Sequence, residues 1–208
     1  MSSFFGAECR ICQEGGSDAS PLVSPCACRG GLKYVHLGCL QQWAATKDDE
    51  EQESAGRVGW ERGVAYNECV TCKQAYFGET AVALAREAHR RSEGRHQRAT
   101  QEGAGEHVLE ETELDMGSCL NNLALLLKVC GSTTRPRCRL LSPLNPKSAC
   151  FALTSQAQGK LDEAEEPTCR ALAIWGKTLS PDHPQVATGL NNLAQLLQVR
   201  GSTTRPRC

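Results

Sequence analysis

The stretch CACRGGLKYVHLGC at residues 26–39 lies between two shorter ones, CRICQEG at 9–15 and CVTCK at 69–73. Together they place seven cysteines and one histidine in four close pairs. In chain order the eight residues are Cys9, Cys12, Cys26, Cys28, His36, Cys39, Cys69 and Cys72. Unrelated buried thiols would rarely give four correctly ordered pairs. Eight such ligands make two tetrahedral zinc sites with no open position, which is the form of a structural site.

The composition limits the classes of protein to consider. The 208 residues carry a formal net charge of −1, which gives no broad electrostatic footprint for nucleic acid. No apolar run approaches the ~18 residues of a membrane-spanning helix, and the start, MSSFFGAECR, lacks the features of a secretory signal. The thirteen cysteines are then not expected to form a disulfide framework, because reducing compartments keep thiols free. We expect an intracellular protein, cytoplasmic in the first instance with the nucleus left open, without a nucleic-acid partner or a membrane span.

The ligand order alone leaves two families open, the PHD finger and the RING-CH (RING-variant) finger. The single residue between Cys26 and Cys28, and the seven before His36, resemble RING-CH. A PHD finger usually has a Trp two residues before the seventh ligand, where this chain has Asn67. The stretches CRICQEG, PLVSPCACRGGLKYVHLGCLQQW and CVTCKQAYF all look like a MARCH-like RING-CH finger, and the resemblance covers about residues 6–78.

The resemblance implies a small α+β finger in which the two zinc sites interleave. Cys9, Cys12, His36 and Cys39 would hold one ion, and the other four ligands would hold the second. Each ion would then close a long loop, so that neither half folds alone. The long segment from Ala44 to Glu68, with the acidic run KDDEEQE, departs from the family and is expected to be a solvated loop.

The same resemblance implies a ubiquitin-protein ligase that binds a ubiquitin-conjugating enzyme and ubiquitin and has no catalytic residue of its own. In this family the enzyme sits in a shallow apolar groove, whose walls would here include Ile11, Trp43 and Pro25. Lys73, directly after the last ligand, would contact both enzyme and ubiquitin. Each residue has a plainer interpretation: Ile11 packs beneath a zinc knuckle, Trp43 belongs to the core, Pro25 stiffens a turn, and Lys73 is solvated.

Residues 79–116 are predicted to connect the finger to a second region. The stretch ETAVALAREAHRRSE at 79–93 has a loose apolar stripe and predicts an amphipathic helix. The following GRHQRATQEGAGE at 94–106 is typical of a flexible linker. We take His89, His96 and His107 for ordinary surface histidines, because no cysteine lies near them in sequence.

Residues 117–208 contain an internal repeat, LNNLALLLKV at 120–129 and LNNLAQLLQV at 190–199. In both copies Leu, Leu, Ala and Leu fall on one helical face. The segment 159–201 resembles the kinesin-light-chain type of tetratricopeptide repeat, with Gly159 ending one helix. Two residues depart from that family: Pro167 would trim the start of the next helix, and Thr168 replaces a bulky residue. These repeats are expected to be helical, degenerate and incomplete, and to recruit an unknown protein substrate.

Both repeat copies run into the same octapeptide, GSTTRPRC, at 131–138 and 201–208. It has no apolar stripe, and with ordinary codon choices it looks like a normal continuation of such a repeat translated in a shifted frame. A divergent linker is the alternative. Six cysteines outside the finger show no ligand spacing and are expected to be incidental: Cys119, Cys130, Cys138, Cys150, Cys169 and Cys208.

Three functions are consistent with these patterns. The first is the ubiquitin ligase, with a finger (1–78), a connecting segment (79–116) and a helical repeat region (117–208). The second is a zinc-binding scaffold without ligase activity. The third is a PHD-like reader, against which Asn67 and the single residue between Cys26 and Cys28 both argue.

Overall fold

The computed structural model describes residues 6–53, 63–131 and 146–200, with the backbone alone at 52–53, 131, 146–159 and 200. The chain divides into two compact units, Met1–Arg90 and Arg91–Cys208. The elements are β1 (Leu22–Val23), β2 (Val35–His36), α1 (Leu37–Glu53), α2 (Val64–Asn67), α3 (Gly78–Gln101), α4 (Glu106–Gly131), α5 (Pro146–Thr178) and α6 (Pro184–Arg200). A small α+β finger is thus followed by a helical region, as the sequence predicted.

The finger has a two-stranded antiparallel sheet, in which Leu22 pairs with His36 and Val23 with Val35. Helix α1 begins directly after β2. Two ligands, His36 and Cys39, therefore lie on the strand end and the first helical turn. Because the chain has few aromatic residues, the apolar core here is small, and the elements it joins are short.

Helix α1 is longer than the sequence predicted. The segment from Ala44 was expected to be a solvated loop, but the helix continues through the acidic run to Glu53. Leu40, Ala44 and Asp48 follow one another at i, i+4 spacing, and all three are buried. Asp48 is 2% exposed, so the run is not uniformly solvated. In the rest of the segment, residues 54–62 lie outside the described residues, and Val64–Asn67 form helix α2, so the loop prediction is wrong there as well.

Helix α3 is also longer than the sequence predicted. The helix predicted at 79–93 is confirmed, but residues 94–101 are helical too, so the flexible linker is wrong there. A turn at 102–105 separates α3 from α4. Arg95 Nη2 lies 2.5 Å from Asp115 Oδ2, and His96 Nδ1 lies 2.9 Å from Thr112 Oγ1, so this half of α3 is anchored on α4. His96 is therefore not an ordinary surface histidine.

In the second unit, α4, α5 and α6 pack around Trp175. Its side chain is 2% exposed and belongs to a core with Leu120 and Ala171. Two glycines make room for it: a Cβ on Gly117 would lie 2.6 Å from Trp175 Nε1, and one on Gly189 would lie 3.0 Å from Trp175 Cζ3. The three helices meet at one indole because two of them carry no side chain at the contact.

The two repeat copies bury different positions. In α4 the predicted face is confirmed, because all of its members are buried: Leu120, Leu123, Ala124 and Leu127. In α6, by contrast, Leu193 and Leu196 are buried while Leu190 is 55% exposed and Ala194 is exposed. The prediction for the second copy is therefore wrong in part. Helix α6 packs chiefly on α5 and only slightly on α4, whereas α4 packs extensively on α5, so less of the surface of α6 is covered.

Helix α5 is continuous where the sequence suggested breaks. Gly159 was expected to end a helix and Pro167 to trim the next, but both lie inside Pro146–Thr178. Thr168 is 2% exposed, and its hydroxyl donates to the Ala164 carbonyl at 2.8 Å. Cys169 is disulfide-bonded, which contradicts the expectation that it is incidental. Most of both GSTTRPRC copies, 132–138 and 201–208, lies outside the described residues.

Candidate metal centre

Two zinc knuckles, Cys9–Gln13 and Cys69–Lys73, have the same backbone geometry although they lie sixty residues apart. Gln13 N donates to Cys9 O at 2.8 Å, and Lys73 N donates to Cys69 O at 2.8 Å. Gln13 and Lys73 both have a positive φ, 65° and 54°. In each knuckle the chain turns sharply after the second cysteine, so that both thiols of a pair face the same point.

The eight predicted ligands converge into two clusters, paired as the resemblance implied. One cluster comprises Cys9, Cys12, His36 and Cys39, and the other comprises Cys26, Cys28, Cys69 and Cys72. Within each cluster the ligand atoms lie within 4.8 Å of one another. Each cluster joins segments that are distant in sequence, so the two sites brace one another across the finger.

His36 is oriented to present Nδ1 to the first cluster. Its Nδ1 lies 3.3 Å from Cys12 Sγ and 3.8 Å from Cys39 Sγ. Its other nitrogen, Nε2, lies 3.2 Å from the carbonyl of Gly15. A proton on Nε2 donates to that carbonyl and leaves Nδ1 with its lone pair towards the sulphurs, which is the usual arrangement of a metal-bound histidine.

The backbone around the first cysteine of each knuckle, Cys9 and Cys69, stabilises the thiolate form of its side chain. Burial raises the pKa of Cys9, but hydrogen bonds from the backbone N–H groups of Cys12, His36 and Ile11 outweigh it and lower the pKa to about 6. For Cys69, burial is again outweighed by the N–H groups of its own knuckle, and the pKa falls to about 6. Backbone dipoles thus hold negative charge at one point of each cluster.

Two cysteines that approach from the other segments, Cys39 and Cys28, have a raised pKa instead. Burial, together with the neighbouring thiols, raises the pKa of Cys39 to about 11 and that of Cys28 to about 12. The three sulphurs of the first cluster and the four of the second lie too close together for all of them to ionise unless a cation neutralises them. A divalent soft-ligand metal does so and displaces the protons as it binds.

This donor set fits zinc. Three thiolates with one imidazole, and four thiolates, are two of the common structural zinc sites. All four positions of each tetrahedron are occupied by protein ligands, so neither ion has a place for a reactive water. The two clusters are structural zinc sites, and their contribution is to the folding of the finger.

Arg10 lies in the first knuckle, but its guanidinium lies beside the second cluster. Nη1 is 3.7 Å from Cys26 Sγ, 3.6 Å from Cys69 Sγ and 3.1 Å from the Leu32 carbonyl. Burial acts to lower the pKa of Arg10, but contact with the sulphurs of Cys26 and Cys69 raises it above its usual value. No pattern in the sequence predicts this contact, because it depends on how the two knuckles pack.

A groove of about 190 Å³ lies between the knuckles and α1, and five apolar residues line it together with Arg10 and Thr71. Two of its residues, Ile11 and Trp43, were predicted from the sequence. Two more, Leu32 and Val70, were not; they are 50% and 49% exposed. Val70 lies between Cys69 and Cys72, at the tip of the second zinc knuckle. An apolar residue at this position could have been predicted from the sequence as a groove residue.

The other two residues predicted to contact the conjugating enzyme, Pro25 and Lys73, lie outside this groove. Pro25 is fully buried, and its carbonyl accepts a hydrogen bond from Phe77 N at 3.1 Å. It therefore does not line the groove, and its plainer role in stiffening the approach to Cys26 fits the structure. Lys73 is exposed at the end of the second knuckle, and its contact with a partner stays a prediction. Ile11 is 39% exposed, and Trp43 is half-buried.

Residues 9–55 match the family model of the RING-variant domain. The N-terminal unit carries a RING-variant finger. The matched residues end before Cys69 and Cys72, because the extended α1 and the residues after it separate these last two ligands from the rest of the finger. A second match, to the tetratricopeptide repeat, covers residues 150–185 in the second unit.

Several curated proteins resemble the RING-variant finger. Human E3 ubiquitin-protein ligase MARCHF8 is 55% identical over 40 residues, which cover 19% of this chain and 14% of the relative. The ERAD-associated E3 ubiquitin-protein ligase DOA10 of Saccharomyces cerevisiae is 49% identical over 43 residues, which cover 21% of this chain and 3% of the relative. Human probable E3 ubiquitin-protein ligase MARCHF10 is 41% identical over 70 residues, which cover 33% of this chain and 8% of the relative. The chain thus spans a small part of these relatives' length. No solved structure matches it.

Within the described residues, none of the helices is both long and apolar enough to cross a membrane.

Proposed function

We propose that this chain is a ubiquitin-protein ligase whose RING-variant finger recruits a ubiquitin-conjugating enzyme through the groove of Ile11, Leu32, Trp43 and Val70. The observation that carries the proposal is this groove, in which Ile11, Leu32 and Val70 are exposed and Trp43 is half-buried. Exposed apolar residues on a rigid surface are typical of an interface. The relatives that match the finger are named as ubiquitin ligases, which supports the same reaction here.

The finger supplies position and no nucleophile. Its cysteines are occupied as zinc ligands, so the reactive thioester belongs to the conjugating enzyme. Binding that enzyme, and holding its ubiquitin in a reactive pose, accelerates transfer by removing orientational freedom. Lys73 extends from the end of the second knuckle and would contact enzyme and ubiquitin together. The reaction places the protein inside the cell, in the cytoplasm in the first instance.

The helical unit would recruit the substrate. Helices α4 and α6 expose five large apolar side chains among the described residues, which a protein partner would cover: Val108, Leu125, Val129, Leu190 and Val199. Tetratricopeptide repeats bind proteins through surfaces formed by stacked helices. Joining such a surface to the finger would bring a bound protein near the conjugating enzyme.

The test is discharge of ubiquitin from a panel of conjugating enzymes to free lysine, with zinc counted in parallel. Ile11→Ala and Val70→Ala each remove an apolar anchor, which costs on the order of 2 kcal/mol or more, or roughly thirtyfold in affinity. Discharge should fall strongly while zinc content stays unchanged. Val64→Ala is the matched control, because Val64 is an exposed valine of the finger (38%) on α2, away from the groove.

Two results would count against the proposal. If unmutated protein discharges no conjugating enzyme in the panel, the chain is a zinc-binding scaffold and not a ligase. If it is active but Ile11→Ala and Val70→Ala behave like Val64→Ala, the enzyme binds elsewhere on the finger.

A further inference from the structure

Arg10 connects parts of the finger that the zinc ligands alone do not connect. Its backbone lies between Cys9 and Cys12, ligands of the first site, and Arg10 N donates to the Tyr34 carbonyl at 2.9 Å. Its guanidinium contacts the sulphurs of Cys26 and Cys69, ligands of the second site, at 3.7 and 3.6 Å. One residue therefore belongs by sequence to one site and by contact to the other.

The two zinc sites differ in charge, and Arg10 lies at the more negative one. Zinc with three thiolates and a neutral imidazole carries a net charge of −1, whereas zinc with four thiolates carries −2. An arginine stays positive at any ordinary pH. Its N–H groups, pointed at two of the four sulphurs, offset part of the excess charge and weaken the repulsion among the thiolates.

Arg10 also lines the groove described above. Arg10 Nη1 donates to the Leu32 carbonyl at 3.1 Å. Leu32 and Val70 line the same groove, and Val70 directly follows Cys69, whose sulphur the guanidinium contacts. Ile11, which also lines the groove, is the next residue in the chain after Arg10. Arg10 thus contacts one groove residue directly and is adjacent, through Cys69 and through the chain, to two more.

We propose that Arg10 is a positioning residue that stabilises the four-cysteine zinc site and couples it to the first knuckle. It acts on the metal through the ligands Cys26 and Cys69 and does not bind the metal. The proposal rests on the zinc sites and not on ligase activity, so it can fail or succeed independently of the proposed function.

The experiment measures metal release from the full chain to a chelator, with ¹¹³Cd in place of zinc and ¹¹³Cd NMR to distinguish the two sites. Arg10→Ala should weaken metal binding at the four-cysteine site by about 10- to 100-fold, the usual effect of removing a hydrogen-bond partner of a metal ligand. Arg10→Gln keeps polar N–H groups without the charge and should show an intermediate loss. Arg29→Ala, which removes one exposed positive charge beside Cys28, is the charge-matched control and should behave like unmutated protein.

Preferential loss at the four-cysteine site in Arg10→Ala supports the proposal. Equal release from Arg10→Ala and Arg29→Ala overturns it. If Arg10→Ala loses both ions because the finger unfolds, Arg10→Gln decides: preferential weakening of the four-cysteine site supports the proposal, and release that matches Arg29→Ala, or equal weakening of both sites, overturns it.

Discussion

Different interactions stabilise the finger and the helical unit. In the finger, eight side chains converge on two metal clusters, and the sheet has only two strands of two residues each. In the helical unit, three helices pack around Trp175, and glycines make the contact possible. The comparison shows that a chain with few aromatic residues can obtain one compact unit from metal binding and another from a single well-placed indole.

The largest expected effect is loss of a zinc ligand. Cys69→Ser should leave the protein with at most one of its two zinc ions and with an unfolded finger, because metal binding and folding are one equilibrium there and zinc supplies on the order of 10 kcal/mol. Cys119→Ser, on α4, should keep both ions. Elemental analysis of the purified proteins measures this, and a Cys69→Ser protein with two zinc ions would refute the assignment of the second site.

The next effect should be confined to the helical unit. Trp175→Ala removes the largest buried side chain there and should destabilise that unit by about 3–5 kcal/mol. Zinc content should not change, because no ligand is touched. Chemical denaturation followed by far-UV circular dichroism measures the loss. Unchanged helix stability would mean that Trp175 is not the centre of this core.

Smaller effects are expected at the glycines. Gly117→Ala places a Cβ 2.6 Å from the Trp175 indole and should cost about 1–3 kcal/mol through overpacking. Gly176→Ala is the matched control, because it lies on α5 with nothing within 4 Å of an added Cβ. It should be neutral or stabilising by up to about 1 kcal/mol, since alanine favours helix. Equal denaturation midpoints for the two variants would contradict the close contact.

The smallest effect tests the contact between the two repeat copies. Asn192 Nδ2 donates to Asn121 Oδ1 at 2.9 Å, which joins α6 to α4. Asn192→Ala should cost about 0.5–1.5 kcal/mol, the net value of one hydrogen bond. Asn191→Ala, an exposed neighbour, is the control for helix propensity. If both variants lose the same stability, the bond contributes nothing measurable.

The zinc ligands could be predicted from the sequence because the signal is local: paired cysteines report a knuckle wherever they occur. The interleaved pairing of the two sites required the family resemblance, since spacing does not decide which pairs share an ion. The groove was predicted in part. Ile11 and Trp43 were found through the resemblance, while Leu32 and Val70 became visible when the knuckles were packed together.

The errors have a common physical cause. Residues 94–101 look like a linker, yet contacts from Arg95 and His96 to α4 keep them helical. The acidic run after Ala44 looks solvated, yet Asp48 is buried on the same face of α1 as Leu40 and Ala44. Local composition predicts what a segment prefers alone, and tertiary contacts decided both cases.

The central claim is that metal binding stabilises the finger while packing around Trp175 stabilises the helical unit. The most direct test is amide hydrogen exchange on the full chain, before and after zinc is removed with a chelator. Peptides from residues 20–45 should lose protection, because the strands and α1 depend on the metal clusters. Peptides from 108–128 and 165–195 should keep theirs, because packing around Trp175 holds those helices. Protection that persists in residues 20–45 without zinc would contradict the central claim that metal binding folds the finger.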